Sequence, residues 1–126
     1  MEALKKKMLV IEDDIIMGME MKEVLEDFGY EVSGVVASGD AAIAAAKHTR
    51  PDLILLDIRL KGSMSGIEVA RAMRTFTDAP ITFLTGYKNE STMSETQQIP
   101  GAYVLTKPVD FDELNNTLKR ALGAKP

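Results

Sequence analysis

Along the chain, short aliphatic or β-branched runs alternate with longer segments whose apolar residues recur at spacings of three and four. The runs fall at 7–11, 31–36, 53–56, 81–84 and 103–105 and predict five strands. Three are apolar throughout their centres, as a parallel strand must be when helices cover both its faces. Such alternation marks an α/β domain built on a parallel sheet. Between the first two runs, Met17, Met21, Val24, Leu25 and Phe28 share one stripe, with Glu20, Lys22, Glu23 and Asp27 elsewhere. This predicts an amphipathic helix that stops near Gly29, with its methionines assigned to packing. A second helix, capped by Ser38 or Asp40, takes in the alanine-rich stretch 41–46 and ends at Arg50-Pro51. A third fits 66–74. The last fits 110–122, with Asp110 as cap and Leu114, Leu118, Ala121 and Leu122 as its apolar edge. The segment 89–98 offers only Met93 and Ile99 to a core, so it is the least stable helix and suits a part that moves.

Composition narrows the picture. A chain of 126 residues, 45% hydrophobic and 27% charged, makes one globular domain, 1–126, with its core at about 7–122. There is no cysteine, which excludes disulfides and thiolate metal sites. A formal charge of −4 gives no footprint for direct nucleic-acid binding. The first apolar run, Met8 to Ile11, is too short for a signal peptide or a membrane span, which makes the cytoplasm the default location. His48, the single histidine, falls near the end of the second helix and reads as a surface residue that favours the helix dipole.

In an open parallel sheet, ligands bind beyond the carboxyl ends of the strands. Reading each strand to its last apolar residue gives Glu12-Asp13-Asp14 after the first, Asp57 after the third, Thr85 after the fourth and Thr106-Lys107-Pro108 after the fifth. Carboxylates forced together repel, and a hard divalent cation such as Mg²⁺ relieves this while leaving positions for phosphate oxygens. An amine and a hydroxyl at the same edge would complete the stabilisation of a phosphoryl group in transfer. Taken singly, Asp13 or Asp14 could merely cap a helix.

The ordered set Val10-Ile11-Glu12-Asp13-Asp14, then Asp52-Leu53-Ile54-Leu55-Leu56-Asp57-Ile58-Arg59, then Leu84-Thr85-Gly86, then Leu105-Thr106-Lys107-Pro108 resembles the receiver domain of two-component response regulators, the CheY-like group. The likeness runs from about Met8 to Leu122. It implies a doubly wound sheet of five parallel strands in the flavodoxin-like order 2-1-3-4-5, with five helices. It also implies that Asp57 accepts a phosphoryl group from a phosphohistidine of a sensor kinase or phosphotransfer protein. Mg²⁺ or Mn²⁺ would be held by Asp13 directly, Glu12 through water, Asp57, and the backbone carbonyl of Arg59. Thr85 and Lys107 would contact the phosphoryl oxygens, Pro108 would follow a cis bond, and Asp14 is left as a helix cap. Arg59 and Tyr87 take positions that tune dephosphorylation. Downstream partners, or a second receiver, would meet the fourth helix, fifth strand and fifth helix.

Two positions depart from the family pattern. Val104 stands where an aromatic often couples to the threonine, and Tyr103, one residue earlier, points to the other face unless a bulge shifts the register. Val109 stands where Phe is common, with Phe111 nearby. Three other functions compete with a self-catalysed switch. An aspartyl-phosphate phosphatase needs an acid near the nucleophile, where this chain has Arg59, and a cap for which it has no room. A phosphorylation-independent interaction module would not need the five chemical positions. A nucleotide-binding flavodoxin-like protein would need a glycine-rich loop after the first strand.

Overall fold

The computed structural model describes residues 5–60, 62–86 and 90–123. The elements follow one another as β1(Lys7–Ile11), α1(Ile15–Asp27), β2(Glu31–Val36), α2(Gly39–Thr49), β3(Leu53–Asp57), α3(Gly66–Met73), β4(Ile81–Thr85), α4(Glu90–Gln97), β5(Ala102–Thr106) and α5(Phe111–Gly123). All strand pairs are parallel, in the order β2-β1-β3-β4-β5. The expected five strands and five helices are thus present in the expected order.

Burial explains that order. Every residue of β3 and β4 and the last four of β1 are buried, whereas β2 and β5 are only half-buried along most of their length. The most buried runs therefore take the middle of the sheet and the half-buried ones its edges. Side chains alternate between two cores. Leu9, Ile11, Ile54, Leu56, Ile81 and Phe83 face α2 and α3, while Met8, Val10, Leu53, Leu55 and Leu84 face α1 and α5. Each such side chain, once fully buried, contributes roughly 1.5–3 kcal/mol of transfer free energy.

Four helix starts are fixed by side-chain oxygens, that of α3 by Ser65, whose Oγ accepts from Glu68 N at 3.2 Å. Asp14 Oδ1 accepts from Met17 N at 3.1 Å, and Ser38 rather than Asp40 caps α2 by accepting from Ala41 N at 3.2 Å. Asp110 Oδ1 accepts from Glu113 N at 3.0 Å at the head of α5. α1 stops before Gly29, whose φ of 100° lies in the left-handed region.

Several expectations need correction. Asp57 and Thr85 are the last residues of their strands, not the first beyond them, and β5 extends one residue further at each end than its apolar run. Met19 does not pack: it is 53% exposed, beside Ile15 and Ile16 at 75% and 82%. In α4 the buried side chain is Thr96, and Met93 joins neither core, although Ile99 does. One irregularity had no visible signal. The β1–β2 register skips Ser33, whose hydroxyl donates to the Met8 carbonyl at 3.2 Å.

Candidate functional site

The carboxyl ends of β1, β3, β4 and β5 lie side by side, so Glu12, Asp57, Thr85 and Lys107 meet although they are distant in sequence. Glu12 is held by the sheet itself, since its N–H donates to the Val36 carbonyl at 2.9 Å. Glu12, Asp57 and Thr85 are 3%, 5% and 2% exposed, a degree of burial that costs several kcal/mol for an unpaired carboxylate. Lys107 supplies the pairing. Its Nζ lies 2.8 Å from Asp57 Oδ2 and 3.3 Å from Glu12 Oε1.

Both Asp57 oxygens are engaged, because Oδ1 accepts from the Arg59 N–H at 2.9 Å. The Lys107 N–H donates to the Thr85 carbonyl at 2.8 Å, which ties the lysine's backbone to the end of β4. The Lys107–Pro108 bond is cis. Asp13 is half-buried at the rim, and Asp14 is exposed and faces its own helix as a cap. Of the remaining sequence candidates, Tyr87 lies outside the described residues, and His48 is exposed in the last turn of α2.

Two of these groups are shifted from their ordinary values. Burial pushes the Glu12 carboxyl up to about 7, and the neighbouring Asp57 charge adds to this against the Asp14 N–H, which stabilises the anion. Burial by itself would lower the Lys107 ammonium, but the hydrogen bond and charge of Asp57, with those of Glu12, outweigh it and hold the ammonium above its ordinary value. One ammonium therefore does not neutralise the site. One oxygen each from Glu12, Asp13 and Asp57 lies within 4.8 Å of the others. Three hard oxygen donors around a surplus of negative charge fit a small divalent cation better than any soft or neutral ligand.

Sequence reading passed over Gly66, taking it only as the start of a helix. A Cβ there would collide with the Asp57 carbonyl oxygen and come within 2.8 Å of Ile58 Cα. The Gly66 N–H donates to the Ile58 carbonyl at 2.8 Å, and the following turn is locked by a reciprocal Ser65–Glu68 capping box. This glycine lets α3 start directly against the backbone of the buried aspartate. The sequence signal was a glycine between a Ser cap and a Glu three residues later.

β5 decides the aromatic question. Its register with β4 runs from Ile81↔Ala102 to Thr85↔Thr106 without a bulge. Val104 accordingly faces the α3 side, and Tyr103 packs towards α1 and α5. Tyr103 does not stand in for a ring at Val104.

The sequence profile of the response regulator receiver domain matches residues 8–119. The chain belongs to that family. Among relatives of this receiver domain is the transcriptional regulatory protein PdtaR of Mycobacterium tuberculosis, 26% identical over 121 residues, which cover 96% of this chain and 58% of PdtaR. The receiver thus spans little more than half of that relative's length. Among solved structures, Vibrio cholerae chemotaxis protein CheY4 superposes with a TM-score of 0.86 at 30% identity, covering 94% of this chain and all of that one (100%). The receiver domain of the sensor histidine kinase PA1611 from Pseudomonas aeruginosa superposes with a TM-score of 0.83 at 28% identity, over 96% and 100% of the two chains. That structure has a magnesium ion coordinated in its active site cleft. Among the described residues of this receiver, no helix is long and apolar enough to cross a membrane.

Proposed function

We propose that this receiver domain is a phosphorylation switch in which Asp57 takes a phosphoryl group from a phosphohistidine of a sensor kinase or phosphotransfer protein in the cytoplasm. The observation that supports this reading is the contact of Lys107 Nζ with Asp57 Oδ2 at 2.8 Å inside a cluster of three carboxylates. An isolated buried acid would be a liability, whereas an acid beside one ammonium and two further carboxylates is built to share a cation and a phosphate.

In the transfer, an Asp57 oxygen forms the new bond to phosphorus while the bond to the donor imidazole nitrogen breaks; the electron pair stays on that nitrogen, and the proton carried by the donor ring's other nitrogen makes the leaving group neutral imidazole. Lys107 balances charge on the phosphoryl oxygens, and the Thr85 hydroxyl donates a hydrogen bond to one of them. The Arg59 N–H on Asp57 Oδ1 fixes the carboxylate's rotation so that it is presented in one orientation. Glu12, Asp13, Asp57 and the Arg59 carbonyl would hold Mg²⁺ or Mn²⁺, which when bound supplies positive charge to the transferring group. Arg59, with Tyr87, would shield the acyl phosphate from water. The faces of α4, β5 and α5 would then pass the change to a downstream protein or a second receiver.

Intact-mass measurement with acetyl phosphate and Mg²⁺ tests the reading. The wild type gains one phosphoryl group, and Asp57→Ala gains none. A gain that survives Asp57→Ala removes the assignment.

A further inference from the structure

A second concavity lies at the amino edge of the sheet, where α2 and α3 end, away from the carboxylates. It is an open cavity of about 500 Å³ lined by Ala46, Lys47, Arg50, Pro51, Phe76 and Thr77, a size that suits a small organic molecule. Ala46 and Pro51 are buried and make an apolar floor, and the Phe76 ring, 37% exposed, makes a wall. Lys47 Nζ stands 5.3 Å from the centre of that ring, within cation–π range. Thr77 Oγ1 accepts from the Ala79 N–H at 3.1 Å, which leaves the hydroxyl proton available to a ligand.

Arg50 carries the argument furthest. Among the described residues it alone, apart from glycines, has a positive φ, 50° with ψ 64°. That left-handed position at a helix end suits glycine, and a side chain there costs free energy. The α2 dipole accounts for Lys47 and His48 in the last turn, but it does not require a side chain at the left-handed position itself. Neither the Arg50 guanidinium nor the Lys47 ammonium makes an ion pair among the described residues. Asp52 and Asp78, the acids next in sequence to the lining, are engaged elsewhere. Asp52 Oδ2 accepts from the Lys7 N–H at 2.8 Å, and the Asp78 charge favours the Arg74 guanidinium.

We propose that this cavity binds a small aromatic anion, an aryl carboxylate or aryl phosphate, whose ring lies against Phe76 and whose charge lies between Lys47 and Arg50. The surroundings favour a small molecule over a protein. Of the five exposed large apolar side chains, Ile15, Ile16, Met19 and Phe111 belong to α1 and α5 on the other face of the sheet, which leaves Phe76 as the single apolar anchor here. A protein partner draws on a cluster of such anchors, whereas one ring and two cations match one ligand.

Amide-resolved NMR titration of the intact chain tests the site. Naphthalene-2-carboxylate and 1-naphthyl phosphate each move the amide resonances of residues 46–50 and 76–77 to saturation, with dissociation constants of about 1 mM or tighter. The tighter of the two names the anionic group. Neutral 2-naphthylmethanol and inorganic phosphate, which each carry half of this chemistry, bind about tenfold more weakly or worse. Arg50→Gly weakens both aryl anions by about tenfold, while its urea midpoint equals or exceeds that of wild type because glycine relieves the left-handed backbone. Lys47→Gln and Phe76→Ala weaken them by about fivefold, so the comparison does not depend on one variant. Shifts centred on residues 15–19, equal binding of the neutral alcohol, or unaltered affinity in Arg50→Gly overturns the site. So does a lack of saturable shifts with both aryl anions up to roughly 10 mM. None of these measurements involves Asp57, so the site stands or falls apart from the phosphorylation reading.

Discussion

Gly66 shows how one missing methyl can govern a reactive carboxylate. Asp57 is the last residue of β3, and α3 starts so close to it that any Cβ at 66 meets its carbonyl oxygen. Gly66→Ala must push α3 away from the strand end or bend the Asp57 backbone, an overpacking cost of about 1–3 kcal/mol. The expected outcome is a lower urea midpoint together with acetyl phosphate labelling slowed by tenfold or more, because a misplacement of about 1 Å is enough for such a loss. A labelling rate equal to wild type would show that Gly66 matters to packing alone. The sequence made Asp57 and Lys107 visible because each follows an apolar strand. It could not show the charge state of Glu12, which depends first on burial and then on Asp57 and on Lys107, 95 residues away, or the use of Gly66, which depends on contact with a strand nine residues earlier.

At the scale of elements, β1, β3 and β4 were legible because burial on both faces leaves their centres apolar, with the buried Thr82 the exception. The edges and exposed faces were less so. A strand pattern carries no mark of the Ser33 bulge, and a helical stripe says which residues pack but not that apolar ones lie outside it. Ile15, Ile16 and Met19 are such residues, at the end of α1 that borders Asp13. They are three of the five large apolar side chains left exposed among the described residues. Under the proposed function, a protein that brings a phosphohistidine to Asp57 must cross this edge, and the exposed Glu20, Glu23 and Glu26 further along α1 favour a basic rim on it. Ile16→Ser with Met19→Ser should leave labelling by acetyl phosphate unchanged while slowing transfer from a phosphohistidine donor protein about tenfold or more, as loss of central apolar contacts does. Equal slowing with both donors would instead point to damage at the site.

For the whole molecule, the site's surplus negative charge links stability to pH and metal. The Glu12 carboxyl titrates at about 7 in the fold against an ordinary 4.5, so the folded state holds this proton more tightly. Its contribution is fully present below 4.5 and is lost as pH rises through 7. That loss amounts to at most roughly 3 kcal/mol. Lys107 has the same sign in another window, its contribution persisting until the pH passes above the ordinary lysine range. In chelator, stability by urea unfolding should therefore fall between about pH 5 and 7.5. Mg²⁺ should restore it more at pH 8 than at pH 6, because protons compete for the same oxygens. Asp57→Asn should flatten the pH dependence in part, since burial of Glu12 remains. A flat profile in the wild type would show that Glu12 is ionised throughout.

The lysine that balances this charge directly follows the last strand, while both buried acids come from the first half of the chain. On a ribosome the acids emerge long before Lys107, and the strands that present them are neighbours in the finished sheet. Until β5 docks against β4, the Lys107 ammonium that pairs with both carboxylates is not in place. An unfinished or truncated copy would therefore present a repelling pair of carboxylates in place of the lysine-paired site, so that under the proposed function competence arrives only with completion of the sheet.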